Sequence, residues 1–128
     1  MSRCVLDASA ILAVLLNEPG QDVLTDDVLS DAVASTVNLA EVQTSMVRRG
    51  IDPAEAWKRA VIPVSEVMPF TVDQAQMAGS LVAQTRSLGL SLGDRACLAL
   101  ALALKSPVYT ADKSWKRLKL AIPVHVIR

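Results

Sequence analysis

At 128 residues the chain has room for one hydrophobic core and not two, so a single domain over 1–128 is expected. Its 13 Lys and Arg balance 13 Asp and Glu, which gives no sign of a polyanion partner from net charge, and its longest apolar run, Ala96–Leu104, is about half the ~20 residues that a membrane-spanning helix needs. A hydrophobic content of 52% with a mean hydropathy of +0.36 is more than so small a domain buries alone, which predicts an oligomer or an obligate partner.

Short apolar runs alternate with longer helical patterns, the signature of βα units around a parallel sheet. A first strand is expected near Arg3–Leu6. Asp7 interrupts the apolar N-terminus and Asn17-Glu18-Pro19 follows without a small-residue cleavage pattern, so the stretch does not read as a signal peptide and a cytoplasmic protein is expected. The stripe Ile11, Leu12, Leu15 and Leu16 predicts a helix stopped by Pro19-Gly20, and a second helix is expected over Gln21–Leu29. A strand near Val33–Val37 precedes a helix over Asn38–Arg49 that Gly50 ends. Pro53–Val61 should be helical, with Asp52 as N-cap and Pro53 at the first helical position. A strand near Val67–Phe70 leads to a long helix from Thr71 to about Leu88, broken near Gly79 or ended before Gly89. Ser91–Leu104 is apolar on every face from Ala96 onward and should be central. Strands near Val108–Thr110 and Val124–Ile127 complete a set of five. Cys4 and Cys97 lie among apolar residues and read as free buried thiols of a reducing compartment.

Four acids fall where strands or loops turn into helices: Asp7, Glu41, Asp94 and Asp112. A doubly wound parallel sheet gathers such positions along one edge. Carboxylates meeting there repel one another, and a hard divalent cation such as Mg²⁺ or Mn²⁺ relieves the repulsion and activates water. Each acid also has a plainer explanation. Asn38-Leu39-Ala40-Glu41 and Ser91-Leu92-Gly93-Asp94 fit the capping-box spacing, Asp112 can cap a short helix over Lys113–Leu118, and Asp7 can cap the helix that begins at Ala8. Four caps need not share one sheet edge, however, and Arg95 is the only cation within the first three motifs. Ser9, Asn38 and Thr110 are suited to orienting the carboxylates.

Other chemistry is poorly supplied. His125, the only histidine, sits in the last strand among apolar neighbours and reads as structural, and one histidine cannot build a His/Cys zinc site or a histidine triad. Leu88–Gly93 lacks the spacing and lysine of a phosphate loop. Lys113, Lys116, Arg117 and Lys119 around Trp115 read as a solvated face, with phosphate binding beside Asp112 as the minority reading. Formal charge runs from −4 over residues 1–64 (five basic, nine acidic) to +4 over 65–128 (eight basic, four acidic), weak support for an anionic partner near the C-terminal half.

Val5-Leu6-Asp7-Ala8-Ser9-Ala10, Asn38-Leu39-Ala40-Glu41-Val42, Leu92-Gly93-Asp94-Arg95-Ala96-Cys97-Leu98-Ala99-Leu100-Ala101 and Val108-Tyr109-Thr110-Ala111-Asp112-Lys113-Ser114-Trp115 together resemble the motifs of PIN-domain ribonucleases, and within them the VapC-type toxins of bacterial toxin–antitoxin pairs. Order, spacing and length all match. The resemblance implies an α/β/α sandwich with a five-stranded parallel sheet, Mg²⁺ or Mn²⁺ held by Asp7, Glu41, Asp94 and Asp112, and endonucleolytic hydrolysis of RNA. It also implies a homodimer, assembled as a heterotetramer or larger with an antitoxin that reaches into the active-site groove. Many relatives carry a further acid shortly after the fourth; Ser114 and Trp115 follow here, which leaves one or two metal ions open. The alternative is a non-catalytic PIN-like RNA-binding or protein-interaction domain whose acids only cap helices. A response-regulator receiver would need an acceptor aspartate where Phe70-Thr71 stands, and a haloacid-dehalogenase-type phosphatase would need a second aspartate where Ser9 stands.

Overall fold

The computed structural model describes residues 3–128. Five short strands, β1 (Cys4–Leu6), β2 (Ala32–Ser35), β3 (Glu66–Met68), β4 (Val108–Thr110) and β5 (Val124–Val126), form one sheet in the order β3-β2-β1-β4-β5. Every pairing is parallel, with Val5 opposite Val33 on one side and Val108 on the other. The chain thus winds outward from β1 to β3 and then crosses over to β4, so the topological switch lies between β1 and β4.

The helices are α1 (Ala8–Leu15), α2 (Asp26–Ser30), α3 (Thr36–Arg48), α4 (Pro53–Ala60), α5 (Val72–Ser80), α6 (Val82–Thr85) and α7 (Leu92–Leu104). They cover both sheet faces because the strands alternate. Leu6 and Ala34 point into a core built with Ile11, Leu39 and Val42 of α1 and α3, while Val5, Val33 and Val108 point into another built with Leu98, Leu100 and Trp115. This is the α/β/α sandwich expected, and α7 supplies the buried run Ala96–Ala101. No helix among the described residues is long and apolar enough to cross a membrane.

Several expected boundaries move for local reasons. Gln21–Leu29 is not one helix: a 3-10 turn over Gln21–Val23 is followed by α2, because Thr25 takes the Val28 N–H and starts a new helix. The long helix expected from Thr71 does break near Gly79, at Leu81, whose side chain is buried, and its last turn, a 3-10 turn over Arg86–Leu88, ends before Gly89. Residues 36 and 37, expected in the second strand, already belong to α3, because the Ser35 hydroxyl accepts the Val37 N–H at 3.2 Å and caps the helix as β2 ends. The third strand starts one residue earlier than expected and ends two earlier, at Met68, and Lys113–Arg117 is a 3-10 turn.

Candidate active site

Asp7 follows β1 directly and caps α1, taking the Ala10 N–H at 2.8 Å. Its carboxylate also accepts from the Ser9 hydroxyl at 2.8 Å and from the Thr110 hydroxyl at 2.6 Å. Ser9 in turn accepts the Ala111 N–H at 2.8 Å, and Thr110 accepts the Asp112 N–H at 3.1 Å. These bonds lace the carboxyl end of β1 to that of β4 across the switch point, where open α/β sheets bind ligands. The Asp7 side chain is fixed before anything binds.

Asn38 and Glu41 do not form the expected capping box, since α3 starts at Thr36 with Ser35 as cap. Asn38 lies a turn inside the helix, almost wholly buried, and its amide donates to Glu41 Oε1 at 2.8 Å and to the Gly93 carbonyl at 3.0 Å. One side chain therefore aims Glu41 and ties α3 to the first turn of α7. Ser91 and Asp94 do form a capping box: Asp94 Oδ2 accepts the Ser91 N–H at 2.9 Å while the Ser91 hydroxyl takes the Asp94 N–H at 3.2 Å. Gly93 is the residue that the sequence did not single out. A Cβ there would fall on the Glu41 carboxylate, so glycine leaves room for Glu41 to hold this position against the first turn of α7.

Asp7, Glu41 and Asp94 share one field. Burial drives the Asp7 carboxyl up from 3.8 to about 6, against the lowering effect of its three hydrogen bonds, and the Asp94 charge adds to the rise. Glu41 is also raised, by burial first and then by Asp94, while the Asn38 bond opposes. Cys97, one turn along α7 from Asp94, is pushed well up by burial and by all three acids, so it remains a neutral thiol beneath them. Asp112 is tied to this group by its backbone N–H, which donates to the Thr110 hydroxyl oxygen. Its own carboxylate caps the following 3-10 turn, accepting from the Ser114 N–H at 2.9 Å and hydroxyl at 2.8 Å.

Among the described residues, no three His, Cys, Asp or Glu side chains stand as a ready ligand set for one ion. Three of the acids, Asp7, Asp94 and Asp112, accept from donors at helix starts. The chemistry of the donors still suits a hard divalent cation: they are carboxylate oxygens only, and the neutral Cys97 offers no soft ligand. They also lack counter-charge. The ion pairs among the described residues engage Glu66, Glu55 and Glu18, and the Arg95 guanidinium donates to the Ala78 carbonyl at 2.8 Å. His125 is exposed on edge strand β5 and stacks on Tyr109 with ring centres 4.8 Å apart. Trp115 is fully buried in the core, so it offers no face for base stacking.

A profile of the family described as PIN domain matches residues 4–120. The sequence finds no match among the curated proteins. Similar solved structures include DNA-bound VapBC from Salmonella typhimurium, at 16% identity and TM-score 0.76 over 100% of both chains. VapBC-5 from Mycobacterium tuberculosis is similar at 23% identity and TM-score 0.63, covering 100% of this chain and 99% of that one. VapC20 from Mycobacterium tuberculosis, described as a sarcin-ricin loop cleaving toxin, is similar at 19% identity and TM-score 0.69, covering 91% and 96%. At such identities the likeness speaks to the fold.

Proposed function

Starting from a chain that belongs to the PIN domain family, we propose that it is a Mg²⁺- or Mn²⁺-dependent endoribonuclease acting as the toxin of a toxin–antitoxin pair. The observation that carries this reading is the Asp7 carboxylate, held by Ser9, Thr110 and the Ala10 N–H at the switch point between β1 and β4, with Asp94 close enough to raise both Asp7 and Glu41 and no ion pair among the described residues engaging any of the three.

Asp7, Glu41, Asp94 and Asp112 would hold the ion, directly or through water. Bound there, the cation supplies Lewis acidity that activates water and offsets charge on the scissile phosphate. Asp7 is the fixed point, because Ser9, Thr110 and the Ala10 N–H hold both of its oxygens. Asp94 gives up its bond to Ser91 to turn inward, a modest loss because that bond is exposed. Glu41, braced by Asn38 and with its carboxyl raised by burial above the ordinary value, would take the proton from the attacking water, with Asp112 as the other candidate base. Water adds to phosphorus as the ribose 3′ oxygen leaves, so the products carry a 5′-phosphate and a 3′-hydroxyl.

The same reading makes the chain a homodimer that an antitoxin completes into a heterotetramer or larger assembly. Val72, Met77, Val82 and Leu92 are exposed along α5–α7 and suit a subunit interface. An arginine of the antitoxin would pair with the uncompensated carboxylates in place of metal. The reading as a non-catalytic PIN-like RNA-binding or protein-interaction domain is favoured by one observation, that Asp7, Asp94 and Asp112 all do cap helices. Inducing the chain alone in bacteria, beside Asp7→Asn, separates the two. Growth arrest by the parent only is expected, and equal growth of both would support the non-catalytic domain.

A further inference from the structure

On α3, residues 37, 40, 41, 44, 45 and 48 recur at helical spacing and so share one face. The opposite side, with Leu39, Val42 and Met46, is buried. That face bounds an open surface hollow of about 860 Å³, walled by α3 and its cap residue alone, that runs from Glu41 past Thr44 and Ser45 to Arg48 and Arg49. A neighbouring hollow of about 450 Å³ continues from Thr44 and Arg48 to Pro53 at the start of α4. The larger hollow thus begins at a carboxylate of the candidate active site and ends at two guanidinium groups about 10 Å along the helix, at ~1.5 Å per residue.

Arg48 and Arg49 are exposed, and no ion pair among the described residues engages either one. Basic residues at a helix C-terminus complement the macrodipole, which accounts for their position but not for the open track joining them to Glu41. They are also two of only five Lys and Arg in residues 1–64, a segment with nine Asp and Glu.

We infer that this hollow is the track of the RNA backbone, with Arg48 and Arg49 holding phosphates adjacent to the one being cleaved. The inference rests on the ribonuclease reading and deepens it: the substrate enters as a single strand laid along α3. Ser45 offers a hydroxyl to the phosphates, and Thr44, whose hydroxyl already donates to the Ala40 carbonyl at 2.8 Å, can accept from a ribose 2′-hydroxyl between the two ends. With Trp115 buried, recognition here rests on phosphates and not on stacked bases.

The test compares the parent with the double variant Arg48→Gln, Arg49→Gln on a labelled single-stranded RNA, after thermal melting has shown both to be folded. KM should rise roughly tenfold per arginine lost, with kcat little changed, as a charged hydrogen bond removed from ground-state binding requires. The slope of log affinity against log salt should fall by about 1.4 for two phosphate contacts on a single strand. Lysines at both positions should recover most of the affinity, and neutral methylphosphonate linkages should weaken binding to the parent but not to the double variant. If the parent cleaves and the variant matches it in KM and salt slope, the track is wrong while the ribonuclease reading stands. If no form cleaves or binds RNA, both fall together. Unchanged RNA cleavage with loss of a co-purifying protein would reassign the hollow to a peptide.

Discussion

Asp7→Asn removes a charge that the fold buries at 4% exposure, and the consequence for stability can be worked out. Raising a carboxyl from 3.8 to about 6 costs the folded protein about 3 kcal/mol once the group is ionised, at ~1.4 kcal/mol per pKa unit. The sign follows from the direction: both states are protonated well below 3.8, the unfolded chain ionises first as pH rises, and stability is lost until the folded carboxyl ionises near pH 6. Asparagine escapes that loss. Its carbonyl can keep the Ala10 and Ser9 bonds, but its amide cannot accept from Thr110, which offsets the gain by about 1–2 kcal/mol. A net gain of about 1–2 kcal/mol remains at neutral pH without metal, or ~4–8 °C in Tm for a chain of this size. Melts in EDTA between pH 4 and 8 should show the gain at pH 7.5 and its disappearance near pH 4. Added Mn²⁺ should stabilise the parent and leave the variant unmoved. A variant less stable than the parent at pH 7.5 in EDTA would refute the burial argument and leave Asp7 as a cap.

Gly93→Ala should separate activity from stability, because the added methyl displaces the flexible end of Glu41 and not backbone; cleavage falls at least tenfold while the Tm moves by only a few degrees. Trp115→Ala should cost about 3–5 kcal/mol in denaturant unfolding, since the indole is fully buried despite its basic neighbours. His125→Gln should lose no more than the ~1 kcal/mol of its stack on Tyr109 and leave turnover intact; a hundredfold loss of turnover in a folded variant would overturn the acid–base scheme. Light scattering on the purified chain should give a dimer, and a soluble monomer at high concentration would count against the subunit interface on α5–α7.

The sheet was legible because parallel strands buried on both faces read as apolar runs, and Val5 and Val33 behave in that way. Three of the four acids were legible as caps for the reason they prove to be caps, since a carboxylate at a helix start has a local partner whatever else it does. Glu41 was legible as an acid near a helix start but not as a side chain aimed by Asn38. The Ser35 cap moves the helix start forward, and no local pattern distinguishes Ser35 from Asn38 as the cap. Gly93 was hidden because its role lies in contact with another helix, and no spacing within α7 reports that. The hollow beside Arg48 lies along one helix face, yet a basic residue ending a helix looks the same in sequence whether or not that face is left open.

The central claim is that Asp7, Glu41, Asp94 and Asp112 hold a divalent ion that drives RNA hydrolysis, and the most direct measurement is cleavage of a labelled RNA by purified chain under metal control. Cleavage should require Mg²⁺ or Mn²⁺, stop in EDTA, resume when the metal is restored, and be absent in folded Asp7→Asn and Asp94→Asn. Cleavage that persists in excess EDTA, or that survives in both variants, would contradict it.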